Sequence, residues 1–236
     1  MKKLLTSALS GAMVLTLAGC GGSGGGDRPF EGQELHLYNW GEYMGENLIA
    51  DFEEQTGATV KVDYFDSNEQ MYIRVANGES FDVLVPSDYM IQRLMEEDLL
   101  QPLDKSKLSN LDLLNDDVMG LDYDPENEYS VPYFWGTVGI VYDKTKVSEE
   151  DLEKEGYNIF LDTKYKGDIY LYDSERDSFM MALKSLGYSM NTDNEDELNE
   201  AYEWLLQCVQ TMEPEIVTDE IIDNMAQGRK ALGLIY

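Results

Sequence analysis

Glu34-Leu35-His36-Leu37-Tyr38-Asn39 is the stretch on which the architecture turns, because it opens a regular alternation of strand and helix. Leu35 and Leu37 alternate with His36 and Tyr38, the period of two expected of a strand. Leu48, Ile49 and Phe52 then fall at helical spacing until Gly57 ends the stripe. Ala58 to Phe65 returns to alternation through Val60, Val62 and Tyr64. Asn68 to Ala76 reads as a helix that stops at Asn77-Gly78. Phe81 to Val85 is a compact apolar strand closed by Pro86, and Tyr89 to Met95 begins a third helix. Strand then helix, three times over, predicts an α/β fold around a largely parallel sheet.

A second cycle starts near Tyr129. Ser130–Phe134 and Thr137–Tyr142 are strand-like, as is Asp168–Tyr172; Arg176–Leu186 is a helix ended by Gly187. Thr192 with Glu195 forms a capping box for a long helix reaching about Met212. Thr218 caps a short helix carrying Ile221, Ile222 and Met225, which Gly228 terminates. Ala231–Tyr236 then reads as a central strand. A central strand with no covering helix after it gives the expectation that the second unit is incomplete.

Toward the N-terminus, Lys2 and Lys3 precede an apolar run that ends at Leu17-Ala18-Gly19-Cys20, followed by a Gly/Ser-rich segment to Gly26. This is the pattern of a secretory leader, and the cysteine after the small pair resembles a bacterial lipobox. The expectation is a signal peptide over 1–19, a lipidated Cys20 (a palmitate-type anchor) and a leash over 20–32. The protein would then sit on the cell membrane, facing the periplasm or the exterior, held by lipid alone.

The formal charge is −30, from 47 acidic against 17 basic residues. Nucleic acid needs a basic footprint, so that class of partner is excluded. Such a surface attracts small cations, although acidity also serves solubility alone. Of the two cysteines, Cys208 lies on the stripe Leu198, Ala201, Leu205, Cys208, Met212 and reads as core filler. The single histidine, His36, reads as structural. No metal-ligand spacing, nucleophile elbow, phosphate loop or dinucleotide fingerprint occurs, so neither metal, cofactor nor enzymatic activity is indicated. No self-association stripe is evident, and a monomer is expected.

Three segments lie where a strand gives way to a loop, the place where open α/β sheets collect ligands. They are Tyr38-Asn39-Trp40-Gly41-Glu42-Tyr43, Val85-Pro86-Ser87-Asp88-Tyr89 and Tyr172-Asp173-Ser174-Glu175-Arg176-Asp177. Their rings and acids suit an organic cation. They equally suit a plain reading in which the rings are core, the acids are caps and the serine is a turn residue.

Tyr38-Asn39-Trp40, Val85-Pro86-Ser87-Asp88-Tyr89, Val131-Pro132-Tyr133-Phe134-Trp135-Gly136-Thr137 and Leu186-Gly187-Tyr188-Ser189, in that order, resemble the spermidine/putrescine-binding proteins of ABC importers. The resemblance runs from about Glu34 to Tyr236. It implies a type II periplasmic-binding-protein fold, with lobe 1 over 33–136, an incomplete lobe 2 over 137–236, and a polyamine held between lobes that close by a hinge. It also implies delivery to the membrane subunits of an ABC permease. Carried over position by position, Trp40 and Tyr43 would sandwich the polyamine chain, Ser87 and Tyr89 would line the cleft, and Asp177 would meet an amine. Tyr236 stands where the family commonly has tryptophan, and Ser174 where it often has a carboxylate. Gly41, Glu42 and Asp88 are weaker candidates beside them. A different cationic or polar solute is the alternative, and a surface-anchored hydrolase using carboxylates a more distant one.

Overall fold

The computed structural model describes residues 28–236, so the expected leader, the lipidated Cys20 and most of the leash lie outside the described residues. The first sheet contains β1 (Glu34–Trp40), β2 (Thr59–Phe65) and β3 (Val83–Leu84) in the order β2-β1-β3, all parallel. Helices α1 (Leu48–Thr56), α2 (Asn68–Ala76) and α3 (Asp88–Glu96) alternate with them, as the sequence pattern predicts. Gly57 takes φ 79° to end α1, a left-handed conformation that glycine adopts without steric cost. Beneath this sheet Tyr38, Trp40, Phe65, Met71, Val75, Met90 and Leu94 form one core. Arg74 closes its edge, stacking on Tyr38 and Phe81 while pairing with Asp63 and Glu79. His36 lies at that edge beside Asp63, outside any cleft.

The stripe on α1 is not core: Leu48 and Phe52 are exposed and α1 buries no residue. Tyr64 and Val83 are exposed as well. No described element covers them; α2 and α3 supply the core of this sheet from the side of Tyr38 and Phe65.

Residues 97–138 contain only three 3-10 turns, at Lys105–Lys107, Leu111–Leu113 and Asp116–Val118. Ser130–Phe134 is not the expected strand. Its entry is instead tied down by Asp124, whose buried carboxylate accepts from the amides of Glu128, Tyr129 and Ser130 and from the Ser130 hydroxyl. Tyr133, Phe134 and Trp135 stay exposed, with no strand beside them among the described residues.

The second sheet contains β4 (Gly139–Tyr142), β5 (Ile169–Tyr172), β6 (Glu215–Val217) and β7 (Leu232–Ile235) in the order β4-β7-β5-β6. The β5–β6 and β5–β7 pairs are parallel and β4–β7 antiparallel. The strand at 232–235 is therefore central, as its apolar sequence predicts. Gly233 within it meets Ile221 and Tyr170 so closely that an added Cβ would fall 2.7 Å from Ile221 Cδ1. Helices α4 (Glu149–Glu155), α5 (Glu175–Leu186), α6 (Glu195–Met212) and α7 (Glu220–Ala226) surround the sheet.

Cys208 is buried on α6 with Ala201 and Met212; burial pushes its thiol up to about 11, so it stays protonated core filler. Two caps differ from expectation. Asn194, not Thr192 with Glu195, caps α6 by accepting the Asp196 amide, while Thr192 accepts the Asn194 amide. Asp219 holds the cap position of α7, and the Thr218 hydroxyl donates to Glu220. Both shifts follow from adjacent residues that compete for one cap position.

Candidate functional site

The carboxyl ends of β1, β2 and β3 face those of β5 and β7 across a narrow slot. Trp40, Asp66, Ser67, Asn68, Glu69 and Tyr89 line one wall; Tyr172, Asp173, Ser174 and Tyr236 line the other. The two walls stand close together, leaving no cavity wide enough for a water molecule. Each wall is built by the residue that ends a strand and by the start of the next helix.

Trp40 ends β1 and is only 6% exposed. Its Nε1 donates to the Val85 carbonyl at 2.8 Å, its ring packs on Phe65 at 4.5 Å, and Tyr43 lies 5.7 Å away. Tyr43 is held in turn by an edge-on Phe134 and by the Tyr133 hydroxyl, which donates to its carbonyl. Asn68 is buried behind this wall: its amide nitrogen donates to Ser87 Oγ while its amide oxygen accepts the Ser87 amide, both at 3.0 Å. Tyr89 donates its hydroxyl to Glu69 at 2.9 Å. The Arg176 guanidinium, from the opposite wall, sits 4.5 Å over the Tyr89 ring, so that ring face already receives a cation.

On the second wall, Tyr236 donates to Asp177 at 2.8 Å and meets Tyr172 edge-on at 4.9 Å. Tyr172 donates to Asp219 at 3.3 Å. Ser174 Oγ caps α5 by accepting the Asp177 amide. The slot thus carries three tyrosine–carboxylate pairs: Tyr89 with Glu69, Tyr236 with Asp177 and Tyr172 with Asp219. Burial, reinforced by the neighbouring carboxylate, raises all three phenols, which remain protonated donors at neutral pH. Tyr43 is raised first by burial, with the negative charges of Asp219 and Asp177 adding to the rise. Asp219 itself is raised, first by burial and then by Glu42, Asp66 and Glu220. Among the described residues no group of three His, Cys, Asp or Glu side chains is arranged as metal ligands. Carboxylates set beside aromatic rings match an organic cation.

A family model for bacterial extracellular solute-binding proteins matches residues 47–235. The chain belongs to that family. The expectation of a binding module rather than an enzyme therefore holds. The spermidine/putrescine-binding periplasmic protein of Escherichia coli is 34% identical over 210 residues, covering 86% of this chain and 58% of that one. The putrescine-binding periplasmic protein SpuD of Pseudomonas aeruginosa is 34% identical over 239 residues, covering 96% of this chain and 64% of that one. Among solved structures, the TpPotD lipoprotein of Treponema pallidum superposes with a TM-score of 0.75 at 31% identity, over 86% of this chain and 64% of that one. The substrate-binding protein PotD of a Streptococcus pneumoniae spermidine/putrescine ABC transporter gives 0.66 at 38% identity, over 86% and 62%. The chain spans about three fifths of the length of these relatives. Over that span the α/β periplasmic-binding-protein fold expected from the sequence resemblance is the fold observed.

Within this solute-binding scaffold, Trp40, Tyr89, Ser174 and Tyr236 line the slot, while Tyr43 and Asp177 stand one contact behind it, against Trp40 and Tyr236 respectively. Ser87 stands behind the wall, its hydroxyl taken by Asn68. Glu42 is exposed but near enough to influence Asp219, whereas Asp88 is exposed and only accepts the Tyr89 amide. Gly41 abuts Asp219: a Cβ there would stand 3.3 Å from its Oδ2. The sequence reading missed Asp66, Ser67, Asn68 and Glu69, which follow β2, and Asp219; Tyr172 lay in a segment it quoted for its rings and acids. The available signal was the run of polar residues between the end of β2 and the first turn of α2, and between β6 and α7.

Proposed function

We propose that this chain captures a linear polyamine, spermidine or putrescine, in the slot between its two sheets and presents it to the membrane subunits of an ABC permease. The observation that carries this reading is the row of three tyrosine–carboxylate pairs on an aromatic slot. Each carboxylate can neutralise an ammonium group, and each ring face contributes ~0.5–2 kcal/mol of cation–π attraction while packing methylenes. Trp40, Tyr43, Tyr89 and Tyr236 supply rings, Asp177 an anion, and Ser87 and Ser174 orient the walls. The relatives named for spermidine and putrescine support the ligand class.

The two sheets correspond to lobe 1 over 33–136 and lobe 2 over 137–236, with ligand-driven closure between them. The lipobox-like Leu17-Ala18-Gly19-Cys20 supports an anchor at Cys20 and an extracytoplasmic site, in keeping with the lipoprotein relative of Treponema. Among the described residues no helix is long and apolar enough to cross a membrane. The working form is a monomer that needs neither metal nor cofactor.

Isothermal titration with spermidine, putrescine and uncharged 1,4-butanediol tests the reading. Saturable heat with the amines and none with the diol is expected; no saturable heat with either amine at millimolar concentration overturns it.

A further inference from the structure

The geometry points to Asp219 as a second ammonium-binding carboxylate at the edge of the slot, on the same wall as Asp177, so that the site reads a ligand charged at both ends. This rests on the polyamine reading and extends it to a residue outside the motifs that carry the family resemblance. Asp219 comes after β6 and belongs to the second sheet's side, yet it reaches the first. Its Oδ2 stands so close to Gly41 that a Cβ there would approach to 3.3 Å. Its Oδ1 accepts from Tyr172, the ring that lines the slot and contacts Tyr236. Tyr236 in turn binds Asp177. Asp177 and Asp219 are therefore attached to two rings that touch each other, one acid on each.

What Asp219 lacks is a cation. Asp63, Asp151 and Asp168 each pair with a lysine or arginine; Asp219 makes no ion pair within 4.0 Å among the described residues. Its partly buried carboxylate is answered by one phenol, and the negative charges of Glu42, Asp66 and Glu220 act on it. An ammonium group delivered into the slot supplies the missing charge. A bare Gly41 leaves the first lobe's backbone clear of that carboxylate.

The test compares wild type with Asp219→Asn for two ligands: putrescine, charged at both ends, and N-acetylputrescine, charged at one. Affinities are read by tryptophan fluorescence and calorimetry, and ligand-free melting temperature is recorded for each protein. Loss of a charge-assisted contact predicts that Asp219→Asn weakens putrescine by roughly 10- to 100-fold. N-acetylputrescine should change by less than about twofold, since its one ammonium keeps Asp177. The ligand-free melting temperature should be unchanged or higher, because an uncompensated anion has been removed. An equal loss for both ligands, or no loss for putrescine, overturns the assignment. If Asp219→Asn fails to fold, Tyr172→Phe replaces it, removing only the hydroxyl that orients Asp219; the same ligand-selective loss is expected, and its absence is decisive against the proposal. A wild-type chain that binds neither amine defeats the polyamine reading itself, a result distinct from the other two.

Discussion

At the scale of single residues, Trp40 holds two positions at once. Its ring lines the slot and also belongs to the core with Phe65, Tyr38 and Met90. Trp40→Ala should therefore cost about 3–5 kcal/mol of stability as well as binding. Trp40→Phe separates the two: we expect a urea midpoint within reach of wild type and a clear loss of polyamine affinity, because the indole contact with Val85 is gone. Asn68→Ala should cost about 1–3 kcal/mol, as it strips both bonds that fix Ser87 at the start of α3. Asp124 makes a pH prediction. Burial would raise its carboxyl, but the bonds from Ser130, Tyr129 and Glu128 outweigh it and hold the group below the usual range. A folded value below the unfolded one, about 3.9, stabilises the fold fully above roughly pH 5 and is lost as pH falls through 4 and below. Asp124→Asn should thus lower the melting temperature at pH 7 and shrink the further drop between pH 7 and pH 3.5.

At the scale of elements, the tightest constraint is Gly233 in the middle of β7. An alanine Cβ would press on Tyr170 Cβ at 3.2 Å and on the tip of Ile221 at 2.7 Å. The isoleucine tip can swing away, but the Tyr170 Cβ is fixed by its strand. Gly233→Ala should cost about 1–3 kcal/mol by urea denaturation, and Ile221→Val should recover part of it. The same elements show what was legible in the chain. Helix ends at Gly57 and Gly187 were plain, since left-handed glycine after an apolar stripe has one common meaning. The slot residues at the ends of β1 and β5 were plain too, because the α/β pattern itself says where ligands gather. The short β6 was invisible: three residues with Glu215 first carry too little alternation. Ser130–Phe134 misled in the other direction, since Val131 and Tyr133 alternate like a strand but find no partner. Asp219 was hidden by its place beside Thr218, where any acid passes for a helix cap.

At the scale of the whole molecule, the charge of −30 is a long-range property that no single contact expresses. A dication approaching the slot should be drawn in, so its association rate should fall steeply as ionic strength rises from about 10 to 150 mM, where the screening length shrinks from roughly 30 to 8 Å. Stopped-flow fluorescence measures this, and a flat rate would show that the slot's own acids, not the overall field, govern capture. The two sheets have separate cores, each drawn from its own stretch of chain. β7, although synthesised after β4, β5 and β6, lies between β4 and β5. During vectorial synthesis the first sheet can condense while the ribosome is still translating the second. The second must wait with β4 and β5 unzipped until residues 232–235 leave the exit tunnel. A nascent chain arrested before Leu232 should therefore resist protease through its first sheet and be digested beyond it.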